Sequence, residues 1–361
     1  RSFCARINPE GQCGIGHTRW ATHGGVCDEN AHPHRFGNVT LIHNGIIENY
    51  RELIDKYALG GSLASETDSE VVAAVLQHFY QGDPYSAIRR TVLKLKGTFA
   101  LAIMFDDQPD QIFAVRNVSP IVVAATADGG ILSSDVAAIV PFTTDYFVMP
   151  ELHVVCLKPD KIEMYDLSGD QAKIDWLKVD WDVSRSGKGG YPFYMEKEIM
   201  EQPQVIGETI LPRVKNDLPD FSEEGIPDFV LADCKRICVI ACGTAMHAGL
   251  VGKSLIQSMI GIHVDVVMAS EFMYNDPVVD KDTLVIAISQ SGDTLEALKF
   301  ARKCGSPSIS IVNVRGASIA RTSEYVIYTN AGPEIAVAST KAYTTQLAVL
   351  YLITARMALS R

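Results

Sequence analysis

The sequence predicts two domains, an α+β domain with antiparallel sheet followed by a doubly wound α/β domain. At 361 residues the chain is long enough to form two separate hydrophobic cores. Residues 97–157 hold short apolar segments separated by turns, which is typical of antiparallel sheet. From residue 235 onward, strand patterns alternate with helical patterns, which predicts a parallel sheet flanked by helices.

Composition excludes several classes of function. The net charge of −11 at pH 7 argues against nucleic acid or an anionic membrane as the main partner. The sequence has no apolar run of membrane-spanning length and no signal-peptide pattern, so we expect no membrane association and a cytoplasmic location. The eight cysteines form no CxxC pair, and we expect reduced structural thiols.

Residues 16–49 concentrate polar side chains, including five of the nine histidines, so a zinc site is one hypothesis for this segment. However, the segment has no HxxxH pair on a helical pattern, and Pro33 separates His32 from His34 in what reads as a loop. We therefore predict no metal ion. Farther along the chain, Thr67-Asp68-Ser69-Glu70 has the form of a helix capping box, so capping is the alternative to a binding role there.

The segment Thr283–Lys303 reads as a buried strand, a hydroxyl-rich turn and the start of a helix. Unpaired N–H groups and the helix dipole favour an anion at such a helix N-terminus, although ordinary N-capping is the alternative. A similar turn occurs at Gly243-Thr244, and Ser339-Thr340 lies in a third hydroxyl-rich segment. Because these loops gather at the carboxyl ends of the strands in a doubly wound sheet, we predict an anionic ligand there.

Longer motifs make both domains similar to known families. His17–Gly24, Asn30–His34 and His43–Tyr50 resemble a class II glutaminase domain of the N-terminal-nucleophile amidohydrolases. The segments Cys242-Gly243-Thr244, Ser289–Thr294 and Glu334–Gln346 resemble a sugar isomerase (SIS) domain. In this order, the two domains resemble the glutamine–fructose-6-phosphate aminotransferase family. The resemblance implies a four-layer αββα sandwich at residues 1–181, a linker at 182–194 and a doubly wound SIS domain at 195–361.

The resemblance also implies roles for residues of the first domain. Arg19 would bind the α-carboxylate of glutamine through its planar guanidinium, and Asp68 would bind the α-ammonium. The side-chain amide of Asn44 and the N–H of Gly45 would form an oxyanion hole. The remaining implied residues are Thr22 and His23, which would line the same pocket, and Trp20, which would cap the passage for ammonia.

In the second domain, the family pattern implies a site for fructose 6-phosphate. The phosphate would be surrounded by Gly243, Thr244, Ala245, Ser289, Gln290, Ser291 and Thr294, and the sugar would contact Val337 and Ser339. The implied reaction converts glutamine and fructose 6-phosphate to glutamate and glucosamine 6-phosphate without a cofactor. A homo-oligomer formed through SIS domains is a further expectation. Ala245 stands where the family usually has serine, which removes one hydroxyl from the phosphate site.

Other departures concern the catalytic groups of the family. Its nucleophile is a cysteine at the mature N-terminus, whose α-amino group is the general base. Cys13-Gly14-Ile15 resembles that motif but lies directly against His17–Gly24, so we expect Cys13 to be structural. The family's isomerisation groups belong to a second SIS domain and a C-terminal tail. We therefore expect these 361 residues on their own to be an incomplete, inactive portion of the enzyme.

Two alternatives of other kinds are open at the level of sequence. One is a non-catalytic sugar-phosphate sensor or scaffold, which would bind fructose 6-phosphate without turnover. The other is a different glutaminase-coupled enzyme, such as an amidophosphoribosyltransferase or an asparagine synthetase. The hydroxyl-rich loop at 289–294 argues against this last alternative, because those enzymes join the glutaminase domain to other folds.

Overall fold

The computed structural model describes residues 11–19, 23–179, 187–272, 274–275, 277–289, 294–314 and 317–361. The chain divides into two compact units, residues 1–180 and 181–361, and each is described by itself. Four residues with a predicted role lie outside the described residues: Trp20, Thr22, Gln290 and Ser291.

The described part of the first unit contains two antiparallel sheets and three α-helices. The strands are β1 (His34–Phe36), β2 (Val39–Ile47), β3 (Gly97–Phe105), β4 (Gln108–Asn117), β5 (Val122–Thr126), β6 (Gly129–Ser133), β7 (Asp145–Val148), β8 (His153–Leu157), β9 (Ile162–Asp166) and β10 (Leu177–Lys178). The helices are α1 (Tyr50–Lys56), α2 (Asp68–Phe79) and α3 (Pro84–Val92). The larger sheet has the order β1-β2-β3-β4-β8-β9, and the smaller sheet has the order β10-β7-β5-β6.

Side chains that alternate along β3 divide the core of the first unit into two layers. Phe99, Leu101 and Ile103 belong to the core that the sheet forms with α1, α2 and α3. Ala100 and Ala102 point the other way, into the core shared with β5 and β7 of the smaller sheet. This period of two follows from the pleat of a strand. The described residues therefore supply helix, sheet and sheet, which are three layers of the predicted sandwich.

In the second unit, the described strands form a five-stranded parallel sheet and a short antiparallel pair. The strands are β11 (Val214–Lys215), β12 (Leu218–Pro219), β13 (Arg236–Ala241), β14 (His263–Met268), β15 (Thr283–Ile288), β16 (Ser308–Val312) and β17 (Tyr325–Tyr328). The helices are α4 (Tyr194–Ile210), α5 (Asp228–Ala232), α6 (Gly243–Ile260), α7 (Ala269–Phe272), α8 (Leu295–Lys303), α9 (Ser318–Thr322) and α10 (Lys341–Ser360).

The strand order of the parallel sheet, β14-β13-β15-β16-β17, confirms the predicted doubly wound fold. Every residue of β15 is buried, because both faces of the sheet carry a hydrophobic core. The order reverses between β13 and β15, so the loops that follow these strands diverge to opposite sides of the sheet. Such a switch point at the carboxyl ends of the strands is where open α/β sheets bind ligands.

We predict that Gly45→Ala destabilises the first unit. Gly45 lies in β2 with a φ of 141°, a region that residues with a Cβ rarely adopt. A Cβ at this position would also overlap the carbonyl oxygen of Thr98 on β3. Strain and overpacking together should lower the free energy of unfolding by about 2–4 kcal/mol, measured by urea denaturation.

The matched control for this change is Gly60→Ala, because a Cβ at Gly60 would meet no heavy atom within 4 Å. We expect its urea midpoint to stay near that of the unsubstituted protein. Equal midpoints for the two variants would contradict the assignment of strain to Gly45.

Candidate functional site

A cavity of about 280 Å³ lies in the first unit, beside the end of β2 and the N-terminus of α2. Five residues with a predicted role line it together: Arg19, His23, Asn44, Gly45 and Asp68. The other lining residues are His17, His32, His43, Ile46, Thr67, Ser69 and Thr98. The fold thus gathers at one cavity residues that are distant in the sequence, from His17 to Thr98.

The carboxylate of Asp68 is a fixed negative charge on the wall of this cavity. Asp68 is only 3% exposed, and its Oδ2 accepts the N–H of Ile47 at 2.8 Å. Nδ1 of His43 lies 3.9 Å from Oδ2, and Nδ1 of His23 lies 4.0 Å from Oδ1. Because Asp68 is in the first turn of α2, the helix dipole also stabilises the ionised carboxylate.

Thr67 caps α2, as the sequence predicts. In a capping box the carboxylate of Glu70 would accept the N–H of Thr67, but here it binds other amides. Oγ1 of Thr67 accepts the N–H of Glu70 at 3.3 Å and lies 3.1 Å from Nε2 of His34. The carboxylate of Glu70 accepts the N–H groups of Ala64 and Ser65, in the turn before the helix. This turn therefore holds the start of α2, and with it Asp68, against β1 and β2.

Three histidine rings contact one another in tilted and edge-to-face arrangements beside the cavity. The ring centroid of His32 is 4.6 Å from that of His17 and 4.8 Å from that of His34. Burial, together with the charges of neighbouring histidines and of Arg19, lowers the pKa of His32 to about 3. Burial also lowers the pKa of His43, which faces Asp68. We conclude that these rings are neutral at pH 7 and act as hydrogen-bonding groups.

Across the residues that the structure describes, no group of three or more His, Cys, Asp or Glu side chains has an arrangement that could hold a metal ion. Instead, the histidines bind hydroxyls: Oγ of Ser69 lies 3.0 Å from Nδ1 of His43 and 3.2 Å from Nε2 of His32.

The side chain of Arg19 donates hydrogen bonds to backbone carbonyl groups a few residues later in the chain, at the wall of the cavity. Its Nη2 donates to the carbonyl oxygen of His23 at 2.9 Å, and its Nη1 donates to that of Gly25 at 3.0 Å. A guanidinium carries five N–H donors, so these bonds leave capacity for a carboxylate. Arg19 and Asp68 thus place opposite charges on the walls of one cavity, the arrangement that an α-amino acid requires.

Cys13 packs against the apolar core between the two sheets of the first unit. Burial raises the pKa of its thiol, and the charge of Asp110 raises it further. A thiol with a raised pKa is a poor nucleophile at neutral pH. These observations support the structural role that the sequence predicts for Cys13.

In the second unit, two predicted phosphate loops follow neighbouring strands of the sheet. β13 and β15 pair in parallel, with Ala241 opposite Ile288. Gly243 is separated from the end of β13 by one residue and opens α6 with a φ of 58°, and Thr244 is exposed in the first turn. Ser289 follows β15 and is buried, and its N–H donates to Ile311.

Thr294 is the N-cap residue of α8, and its side chain makes no cap bond. The residue is fully buried, and among the described residues its hydroxyl has no hydrogen-bond partner. Burying a hydroxyl without a partner destabilises a protein by about 1–3 kcal/mol. Because Thr294 lies at the N-terminus of α8, next to the predicted phosphate loop, its hydroxyl is placed to donate to a ligand there. Ala245, by contrast, belongs to the apolar core under α6.

Residues that the sequence analysis missed hold the segment 333–340. Glu198 on α4 is buried, and its Oε1 accepts the N–H groups of Ile335 at 2.6 Å and Ala336 at 3.0 Å. Within the segment, the predicted residue Val337 is 89% exposed, and Ser339 is partly buried. No local pattern pairs Glu198 with amides 137 and 138 positions later.

The sequence likewise did not predict that Lys341 is a buried structural residue. The side chain is fully buried at the start of α10, and its Nζ lies 2.7 Å from Oε2 of Glu201 on α4. Oε1 of Glu201 lies 3.4 Å from Nζ of Lys197. Burial pushes the pKa of Glu201 upward, but the ammonium of Lys341, together with Lys197, brings this pKa below its ordinary value. The carboxylate of Glu201 is therefore ionised, and its contact with Lys341 joins α10 to α4.

Comparison with known proteins finds a matching domain family in each unit. The glutamine amidotransferase domain family matches residues 19–141, and the SIS domain family matches residues 230–356. The chain is 44% identical over 360 residues to the glutamine–fructose-6-phosphate aminotransferase [isomerizing] of Caldanaerobacter subterraneus subsp. tengcongensis, covering 98% of this chain and 59% of that protein. Against the protein of the same name from Streptomyces coelicolor, identity is 45% over 354 residues, covering 96% and 58%.

A solved structure of the C-terminal domain of glucosamine-fructose-6-phosphate aminotransferase from Francisella tularensis is 39% identical to the matched part. The match covers 48% of this chain and 50% of the chain in the solved structure, with a TM-score of 0.46. In the part of this chain that the structure describes, no helix combines the length and the apolar character that crossing a membrane requires.

The chain therefore consists of a glutamine amidotransferase domain joined to a SIS domain. Over nearly its whole length the chain is similar to glutamine–fructose-6-phosphate aminotransferases, as its motifs predict. It spans about 59% of the length of the first of these relatives.

We predict that His32→Asn makes the stability of the first unit less sensitive to acid. The folded-state pKa of His32, about 3, lies below the ordinary value of 6.5. Between these values the unfolded chain binds a proton that the folded chain does not, so stability falls as pH falls from 6.5 towards 3. The thermal midpoint should therefore drop less in the variant than in the unsubstituted protein between pH 7.5 and pH 5.

His247→Asn, at an exposed position on α6, is the control for this measurement. We expect its midpoint to fall with acid as steeply as that of the unsubstituted protein. An equally steep fall in His32→Asn would show that His32 does not carry the acid sensitivity.

Proposed function

We propose that this chain is the glutamine-binding and sugar-phosphate-binding part of a glutamine–fructose-6-phosphate aminotransferase (isomerising). Such an enzyme converts glutamine and fructose 6-phosphate to glutamate and glucosamine 6-phosphate, in the hexosamine pathway. The main support is the 44% identity over 98% of this chain to a relative that carries this name. Because the chain spans 59% of that relative, the proposal assigns it substrate binding and leaves the complete reaction to the whole protein.

The charges at the cavity of the first unit support glutamine as its ligand. Arg19 is suited to the α-carboxylate, and Asp68 is suited to the α-ammonium. Asn44 and Gly45 line the same cavity, and we assign to them the oxyanion that forms when the side-chain amide is attacked. The unusual φ of Gly45 supports this role, because only glycine permits that backbone direction so close to Thr98.

The phosphate is assigned to the loops after β13 and β15. The N-termini of α6 and α8 supply positive dipole ends and N–H groups, which suit an anion in a protein whose net charge is −11. Thr244, Ser289 and the unpartnered hydroxyl of Thr294 supply further donors. At Ala245 the structure has an apolar contact in place of the family's usual serine, so these other donors must bind the phosphate without it.

Further parts of the proposal come from the family resemblance. They are the roles of Val337 and Ser339 at the sugar, self-association through SIS domains, a cytoplasmic location and the domain limits given above. Analytical ultracentrifugation of the purified protein tests self-association, and a sedimentation coefficient of a monomer at all concentrations would exclude it.

We predict that substitutions at the two sites affect the two substrates separately. Asp68→Asn keeps the shape of the side chain but removes the charge, so the affinity for glutamine should fall at least tenfold with little change for fructose 6-phosphate. Thr294→Val removes one hydroxyl, so binding of fructose 6-phosphate should weaken by about 1.5–3 kcal/mol with little change for glutamine. Isothermal titration calorimetry of each variant with each ligand measures both effects.

Ser310→Ala is the control for Thr294→Val. Ser310 is a buried residue of β16 whose hydroxyl also has no hydrogen-bond partner among the described residues. We expect it to leave both affinities unchanged. Failure of the unsubstituted protein to bind glutamine and fructose 6-phosphate would overturn the proposed function.

A further inference from the structure

We propose that Glu198, on α4, is a positioning residue for the sugar site. In this role its carboxylate holds the segment 333–340 in the conformation that binds the sugar, and Glu198 itself does not contact the ligand. The inference rests on the proposed function, because it takes Val337 and Ser339 as contacts of the sugar. It also extends the site to α4, which lies before the matched SIS region of residues 230–356.

The contacts of Glu198 fix the backbone direction at the start of the segment. One oxygen, Oε1, accepts two successive N–H groups, those of Ile335 at 2.6 Å and Ala336 at 3.0 Å. Because Glu198 is 2% exposed, water competes little for these charge-assisted bonds. Its other oxygen, Oε2, is buried and has no partner among the described residues, so the two amides are the contacts that compensate this charge.

A second carboxylate fixes the other end of the same segment. Oε1 of Glu334 accepts the N–H of Thr340 at 2.8 Å and the N–H of Ala342 at 3.1 Å. Thr340 is the N-cap residue of α10 and makes no side-chain cap bond, so Glu334 supplies the acceptor that the helix start lacks. Residues 337–339 thus lie between two anchored stretches of backbone.

The helix that carries Glu198 is itself held in place by charge. Lys341 is fully buried next to Thr340, and its ammonium lies 2.7 Å from the carboxylate of Glu201, one helical turn beyond Glu198. Removing Glu201 would leave the buried ammonium of Lys341 without this partner and would destabilise the protein, so the pair keeps α4 and the start of α10 together. The carboxylate of Glu198 therefore meets the segment from a rigid support.

The phosphate and the sugar would therefore be bound by two separate parts of the site. The phosphate donors stand on α6, on α8 and after β15, and Glu198 contacts none of these elements in the bonds described above. The sugar contacts stand on the segment that Glu198 anchors. Loss of Glu198 should therefore weaken the contribution of the sugar and leave the contribution of the phosphate unchanged.

Calorimetry with two probes, fructose 6-phosphate and inorganic phosphate, tests whether Glu198 affects binding of the sugar alone. We expect Glu198→Ala to bind fructose 6-phosphate at least tenfold more weakly and inorganic phosphate within twofold of the unsubstituted protein. Glu198→Gln keeps an oxygen that can accept both N–H groups, so it should bind fructose 6-phosphate within threefold of the unsubstituted protein. Amide hydrogen exchange at Ile335 and Ala336 should be faster in Glu198→Ala and near normal in Glu198→Gln.

Glu196→Ala is the matched control, because Glu196 is exposed on the same helix and should change neither affinity. Glu198→Asp, whose carboxylate is one methylene shorter, replaces Glu198→Ala if the alanine variant has no cooperative thermal transition, and the same results are expected. Normal binding of fructose 6-phosphate by the variant, or equal weakening of both probes, would overturn the inference while the proposed function stands. Absence of binding in the unsubstituted protein would overturn both.

Discussion

The need of buried polar groups for a partner is the constraint that shapes both units of this protein. Asp68, Glu198 and Lys341 are charged residues with almost no exposure, and each is held by a specific partner: the N–H of Ile47, two amides of the segment 333–340, and Glu201. Leaving such a group unpaired would cost more than most single packing contacts contribute. Each partnership therefore fixes the position of a backbone segment, and those segments line the candidate sites.

The same constraint separates binding groups from structural ones. Thr67 lies next to Asp68, and its hydroxyl is used by the helix cap and by His34. Thr294 has a comparable position at the start of α8, but its buried hydroxyl has no partner among the described residues. Two threonines at helix N-termini thus differ in whether the fold satisfies them. The unsatisfied one is the hydroxyl that we propose as a donor to the phosphate.

The net charge of the chain and the local charges at the candidate sites act on anions in opposite ways. The chain as a whole carries a charge of −11, which repels anions. Both proposed substrates nevertheless present an anionic group, a carboxylate in glutamine and a phosphate in fructose 6-phosphate. Binding must then depend on donors within hydrogen-bond reach, such as the guanidinium of Arg19 and the N-termini of α6 and α8, because long-range attraction is absent.

The sequence by itself determined the two fold classes, because the periods of two and 3.6 residues and the apolar run of β15 depend on local geometry alone. Its motifs also pointed to residues that line one cavity of the first unit, such as Arg19, Asn44 and Asp68. Only the tertiary structure decided that Glu198 holds Ile335 and that Lys341 pairs with Glu201. These bonds join residues 137 and 140 positions apart, and a periodic pattern carries no information about which distant partner compensates a buried charge.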